Sequence, residues 1–215
     1  MLTRAQLQAA LKRAGRKRGL EADVERLREV FRGEYAHQPQ LVEDALGKQM
    51  LALLGQLEAA CAASDDLAEA VEAAFPEHPD AKVILSFPGL GVQLGARVLG
   101  EIGDDRTRFA DARGLKAYAG SAPITRASGK KHHVGRRMIK NDRLNHAGYL
   151  WAFAALTASP GAKAHYGRRR EKGDWHPQAQ RHLFNRMIGQ LYHCISTGEV
   201  FDEHVAFPTL LAAAA

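Results

Sequence analysis

From Leu46 to Ala74 the residues Leu46, Met50, Leu53, Leu57, Ala60, Ser64, Leu67, Val71 and Ala74 stand alternately four and three apart, a heptad seam sustained over four repeats. The spacing predicts one long helix whose seam calls for a second helix. Upstream, Leu20, Val24, Leu27 and Phe31 keep the same spacing over a shorter run, with Gly33 and Gln38-Pro39 as the interruption. Two pairings stay open: an intramolecular hairpin between these runs, or a dimer strand, with Ala60 and Ser64 softening the middle of the seam. The stretch up to Ala74 is rich in Ala, Leu, Glu, Gln and Arg and has proline only at Pro39, so it is expected to be nearly all helix.

Phe75-Pro76-Glu77-His78-Pro79-Asp80 breaks that helix, because proline disfavours the helical region for the residue before it. The chain therefore divides into a helical coiled-coil segment at 1–80, a second domain at 81–207 and a tail at 208–215 that holds Leu210-Leu211 and the terminal alanines. The expected fold class is mainly α: a helical hairpin or coiled coil, then a compact helical domain.

Thirty Lys and Arg against twenty-four Asp and Glu give a net charge of +6, which favours polyanionic partners. With 46% hydrophobic and 25% charged residues, disorder throughout, collagen and a disulfide scaffold are excluded. Cys61 and Cys194 lie far apart outside any CxxC pattern and read as buried small hydrophobes. No run approaches the roughly 18 to 20 apolar residues of a membrane span, and the start, Met1-Leu2-Thr3-Arg4, has no apolar signal core. A cytoplasmic protein without a membrane partner is the expectation. Lys12, Arg13, Arg16, Lys17 and Arg18 crowd one segment without an acid, either a solvated helix end or a nucleic-acid contact.

Ile84 to Leu99 reads as a helix end, a turn at Pro88-Gly89-Leu90-Gly91, and a second helix with small residues on its packing face. It resembles a helix-hairpin-helix element, in which glycines open unusual backbone conformations and free amides at a helix start donate to a phosphate oxygen. No Gly-Lys-Ser/Thr follows the glycines, which excludes a P-loop. Asp111 is placed to cap a helix running through Tyr118.

Between positions 126 and 143 seven basic residues, Arg126, Lys130, Lys131, Arg136, Arg137, Lys140 and Arg143, face a single acid, Asp142. Ser128 sits beside Gly129 in this cationic stretch, which reads as a loop leading into a basic helix. Phosphoryl transfer depends mainly on placement and on neutralising developing charge, so a serine here has the setting of a nucleophile. Ser-Gly is equally a common turn dipeptide. Farther on, Leu144 to Leu156, with Tyr149, Trp151 and Phe153, reads as a core helix ending at Ser159-Pro160-Gly161. His165-Tyr166 and Arg168-Arg169-Arg170 offer stacking and charge, or a solvated helix end. The helix from Leu183 closes at Gly198. His132, His133, His182 and His193 form no ligand pair with a carboxylate at useful helical spacing, so no metal site is expected.

Pro88-Gly89-Leu90-Gly91, then Tyr118-Ala119-Gly120, Ala122-Pro123, Ser128-Gly129-Lys130 and the basic segment, in that order and spacing, resemble the carboxy-terminal transposase domain of the insertion-sequence 110 family, which includes the Piv-type DNA invertases. The resemblance covers about Ala81 to Phe207. It implies a site-specific recombinase in which the serine of the Ser-Gly motif, Ser128 here, attacks a DNA phosphate and becomes joined to the strand, with Ser121 in reserve. It also implies an element-encoded guide RNA and a RuvC-like nuclease domain whose Asp and Glu ligands hold divalent metal. The first seventy-odd residues read as the connector rather than as alternating strands, and Asp65-Asp66 and Asp104-Asp105 read as cap or surface residues. Lys140-Asn141-Asp142-Arg143 stands where the family commonly has a Gly-Asn pair. The expectation is thus a truncated transposase that binds DNA or its guide RNA through the 88–91 turn and the 126–143 cluster. It holds no cofactor itself, Mg2+ belonging to the missing nuclease domain. The alternative is a non-catalytic binding or regulatory fragment that oligomerises with full-length transposase.

Overall fold

The computed structural model describes residues 2–208, which are mainly α-helical with one two-stranded sheet. Beyond Pro208, the tail expected at 208–215, with Leu210-Leu211, lies outside the described residues. The chain divides into two compact units, Met1–Ala60 and Cys61–Ala215, and the division falls within the long seam helix rather than at residue 80.

In the first unit α1 (Arg4–Arg13) begins with a capping box: Thr3 Oγ1 accepts from the Gln6 amide at 3.3 Å, and the Gln6 side chain accepts from the Thr3 amide at 2.8 Å. It packs on α2 (Leu20–Arg32), the two burying Leu7 and Val24, with an Arg4–Glu25 ion pair at 2.7 Å between them. The hairpin is α1 on α2, whereas the heptad spacing left open α2 against the long helix or a dimer strand. That helix, α3 (Gln40–Ala74), starts directly after Pro39, runs for 35 residues and buries none of its side chains. Leu46, Met50, Leu53 and Leu57 are 53 to 62% exposed, and Cys61, expected inside, is exposed as well.

The second unit takes in the end of α3, where Val71 packs on the core and the Gln93 side-chain amide donates to the Ala68 carbonyl at 2.7 Å. The break at 75–80 is a 3-10 turn, Phe75–Glu77, followed by α4 (Ala81–Leu85), α5 (Val92–Ile102) and α6 (Ala112–Tyr118). Asp111 caps α6 by accepting from the Gly114 amide at 2.8 Å. Then come β1 (Ile124–Ser128), β2 (Lys131–Gly135), α7 (Asp142–Ala158), α8 (Pro160–Glu171), α9 (His176–Thr197) and the short α10 (Glu203–Ala206).

The core is built around α7, which packs against α5, α8 and α9. Leu144, Ala147, Gly148, Trp151, Ala152 and Ala155 recur every three to four residues and form its buried face. Tyr149 and Phe153, expected in the core, lie off this stripe at 43% and 58% exposure. On α9 the matching stripe is Ala179, Gln180, Leu183, Phe184, Met187, Ile188, Leu191 and Cys194, with Gly198 ending the helix in a left-handed conformation at φ +76°. A Cβ on Gly148 would lie 2.1 Å from the Phe184 ring, so the missing side chain is what lets α7 and α9 approach. Burial of rings such as Trp151 and Phe184 contributes about 1.5 to 3 kcal/mol each.

Candidate nucleic-acid interface

Residues 124–135, read from sequence as a loop before a basic helix, form an antiparallel β-hairpin, and residues 136–141 are not helical either. The two-residue turn is Gly129-Lys130, and only Gly129 has positive φ, at +55°, the arrangement in which glycine leads the turn. The Ser-Gly pair thus has a local reason: Gly129 makes the turn and leaves Ser128 as the last residue of β1. Ser128 pairs with Lys131 and Arg126 with His133. Directly opposed residues share a face, so Arg126, Ser128, Lys131 and His133 point to one side. Along both strands every residue but Ile124 and Gly135 is exposed, and the hairpin contains no acid.

The root of the hairpin is fixed by Asn141. Its backbone amide donates to the Tyr118 carbonyl at 2.8 Å, its side-chain amide to the Tyr118 hydroxyl at 2.6 Å and to Glu101 at 2.7 Å, and its carbonyl caps α7 by accepting from Leu144 at 2.8 Å. Asn145 donates to the Ala119 carbonyl at 3.0 Å. Gly120 has φ +71°, and a Cβ there would lie 2.2 Å from the Lys140 side chain, which crosses it. The Tyr118-Ala119-Gly120 motif therefore anchors the basic segment to α6. Arg108 donates to the same Tyr118 hydroxyl at 2.8 Å and lies over its ring. Ser121 is buried, with its hydroxyl 3.0 Å from Asn185 Oδ1 and 3.2 Å from the Lys116 carbonyl.

This geometry splits the basic cluster in two. Arg126 and Lys131 line an open groove on the hairpin with Ser128 and His133, and Lys130 is exposed at the turn. Arg136, Arg137 and Lys140 instead line a cleft of about 490 Å3 between the hairpin root, α7 and the start of α9. Lys140 is held there by Asp142 at 2.6 Å, and Arg143 stands exposed on the first turn of α7. The cleft also takes in Arg181 and Gln180, about forty residues downstream of the motif and missed by the sequence reading. Burial lowers the pKa of Arg181, the nearby Asp174 opposing the shift. The available signal was Gln180 itself, a polar side chain on the apolar stripe of α9.

The 88–91 turn lies against a different part of α7. Trp151 donates its indole N–H to the Pro88 carbonyl at 3.0 Å, and Leu90 is buried. Gly89 has φ +83°, and a Cβ there would lie 2.6 Å from the Ala155 backbone nitrogen. Close packing on α7 thus accounts for this glycine. Gly91 is exposed at the start of α5, where no side chain caps the first amides. Lys12, Arg13, Arg16, Lys17 and Arg18 are exposed at the end of α1 and in the link after it, Arg16 pairing with Asp23 at 2.8 Å. Asp65, Asp66, Asp104 and Asp105 are exposed, and among the described residues no three His, Cys, Asp or Glu side chains gather as metal ligands. The Mg2+ that the resemblance implies therefore has no fitting ligand set on this surface.

The family model described as "Transposase IS116/IS110/IS902 family" matches residues 81–167, from α4 through most of α8, and includes the turn, the Tyr118 anchor and the hairpin. The matched region defines a transposase domain of the insertion-sequence class. The chain belongs to the IS116/IS110/IS902 transposase family. It is 68% identical over 214 residues to the "Mini-circle putative transposase for IS117" of Streptomyces coelicolor, covering 100% of this chain and 52% of that protein. It is 34% identical over 146 residues to the uncharacterized 42 kDa protein of insertion element IS900 of Mycobacterium paratuberculosis, covering 67% and 35%. With the uncharacterized 44.8 kDa protein of IS116 of Streptomyces clavuligerus it shares 29% over 216 residues, covering 94% and 53%. The chain spans about half the length of the IS117 and IS116 relatives. Among the described residues no helix is long and apolar enough to cross a membrane.

Proposed function

We propose that this chain carries the strand-joining part of a transposase, binding DNA with a guide RNA and presenting Ser128 as the nucleophile. The observation that carries the reading is the hairpin: an exposed serine shares one face with Arg126 and Lys131 on an element with no acid. A lone two-stranded hairpin is marginal in water, and a polyanionic strand is the partner its charge suits. In the step proposed, Ser128 Oγ forms a bond to a DNA phosphorus and the phosphorus–oxygen bond to one strand end breaks. The broken strand leaves as a hydroxyl end, taking a proton from an acid, and the serine proton goes to a base, both outside this surface. Arg126, Lys130 and Lys131 offset the charge on the phosphoryl oxygens. Reversal by a new strand end completes exchange. Divalent metal belongs, in this reading, to a nuclease domain that acts with the chain, and the buried Ser121 is not the nucleophile.

The second reading, a non-catalytic fragment that assembles with full-length transposase, is favoured by the exposed α3 seam. Both readings are tested by mixing the chain with recombination-site DNA, guide RNA and Mg2+, with and without a separately expressed nuclease domain, and assaying for a protease-sensitive protein–DNA adduct. An adduct that needs the nuclease domain and is lost in Ser128→Ala supports strand joining. One that survives Ser128→Ala refutes the assignment, one formed by the chain alone refutes the dependence, and no adduct in any mixture leaves the binding fragment as the reading.

A further inference from the structure

The cleft at the hairpin root contains two buried polar groups that no hydrogen bond satisfies among the described residues. Gln180 is fully buried at 0% exposure, and neither its amide nitrogen nor its oxygen has a hydrogen-bond partner among the described residues. The same holds for Arg137 Nε, whose residue lines the cleft with Gln180. Leaving a buried polar atom unpaired costs about 1 to 3 kcal/mol, and an apolar residue at 180 would continue the α9 stripe without that cost. A glutamine in this place points to a ligand.

Its chemistry narrows the ligand. Arg136, Arg137, Lys140 and Arg181 line the cleft, with Asp142 paired to Lys140 and Asp174 near Arg181, so the lining stays net positive and the ligand carries negative charge. Tyr149, half exposed, supplies an aromatic surface in the lining, to which Phe184, packed against Gly148, also belongs. An amide offers one donor beside one acceptor, which matches the adjacent acceptor and donor on the edge of an unpaired base. Anion, ring and paired edge together describe a nucleotide, and about 490 Å3 is a volume that small ligands occupy.

Building on the nucleic-acid reading above, we propose that this cleft receives one unstacked nucleotide of a bound strand, its phosphate against the four cations and its base edge against Gln180. The base stacks on Tyr149 while Gln180 reads its edge, so the pocket requires a base and fixes the register of the strand. Every residue involved belongs to the second unit, and Gln180 and Arg181 lie outside the segment that the family model matches.

The test is an abasic scan. Single-stranded DNA and RNA oligonucleotides of one sequence, each with a single base removed in turn, are titrated against the full chain, with a closed duplex as control. A strand held in the cleft shows about a tenfold loss of affinity when the base at one register is removed, the range expected for one stacked base. The nucleic acid that shows the loss, DNA or RNA, is the source of the nucleotide. In Gln180→Leu, which keeps the α9 stripe apolar, and in Tyr149→Ala, at a half-exposed site, intact and abasic strands should bind alike. Salt-dependent binding with no sensitive position, or a sensitive position unchanged in both variants, overturns the cleft and leaves the hairpin interface standing. No binding of any strand at low salt overturns the nucleic-acid reading itself.

Discussion

Trp151 donates its indole N–H to the carbonyl of Pro88 at 3.0 Å, and this bond ties the Pro-Gly turn to the centre of the core helix. Trp151→Phe leaves that carbonyl unpaired and opens space in the core, and should cost about 2 to 3 kcal/mol. Gly89→Ala should cost about 3 kcal/mol or more, because it adds a left-handed backbone penalty to a clash with the Ala155 nitrogen, which cannot move away as a side chain would. Urea unfolding followed by circular dichroism measures both. A Gly89→Ala protein as stable as wild type would show that the turn does not pack as described.

The α3 seam presents Leu53 and Leu57 at 56% and 60% exposure with no side chain of the helix buried. Self-association through it should be abolished by Leu53→Glu with Leu57→Glu, since a charge at a seam position loses apolar burial and adds desolvation. The melting of the compact unit should not change. Sedimentation of both proteins decides it, and a wild-type chain that is already monomeric would rule out the seam as a self-association surface.

His165 on α8 is pushed down to about 4 from an ordinary 6.5, first by burial and then by the cations Arg186, Arg168, His182 and Arg169 around it. The ring stays neutral in the folded state while the unfolded chain takes up the proton below about pH 6.5. Stability is thus whole above that pH and is lost as pH falls toward about 4. The loss should be about 1 to 2 kcal/mol, less than a wholly buried ring would give because this one keeps part of its surface in water. His165→Gln should flatten the stability profile between those two pH values, and an unchanged slope would remove His165 as its source.

Periodic segments were legible in the sequence. The long helix α3, the break at Phe75-Pro76, the Asp111 cap, the Trp151 helix and the stop at Gly198 follow from spacing, proline and glycine. The β-hairpin was hidden because its apolar residues are Ile124, Ala127 and Val134 alone, and an element exposed on both faces shows no alternation. The α1–α2 pairing was hidden because it rests on little more than Leu7 and Val24, a signal far weaker than the seam. At the candidate interface the basic residues and Ser128 were visible as a run. Their division between groove and cleft depends on Asn141, Tyr118 and the approach of α9, which bring distant residues together. Gln180 reads as an ordinary helix residue until the stripe around it is known to be buried.

The most direct measurement is the affinity of the full chain for duplex DNA and structured RNA across about 50 to 300 mM salt. Two triple variants are titrated beside it, Arg126, Lys130 and Lys131→Ala at the hairpin and Arg136, Arg137 and Lys140→Ala at its root. Clustered cations on phosphates predict that log affinity falls linearly with log salt. Each triple variant should bind more weakly and lower the slope by about two to three units, roughly one for each phosphate contact removed. Binding that is absent at low salt, flat in salt, or unchanged in both variants would contradict the assignment of this surface to nucleic acid.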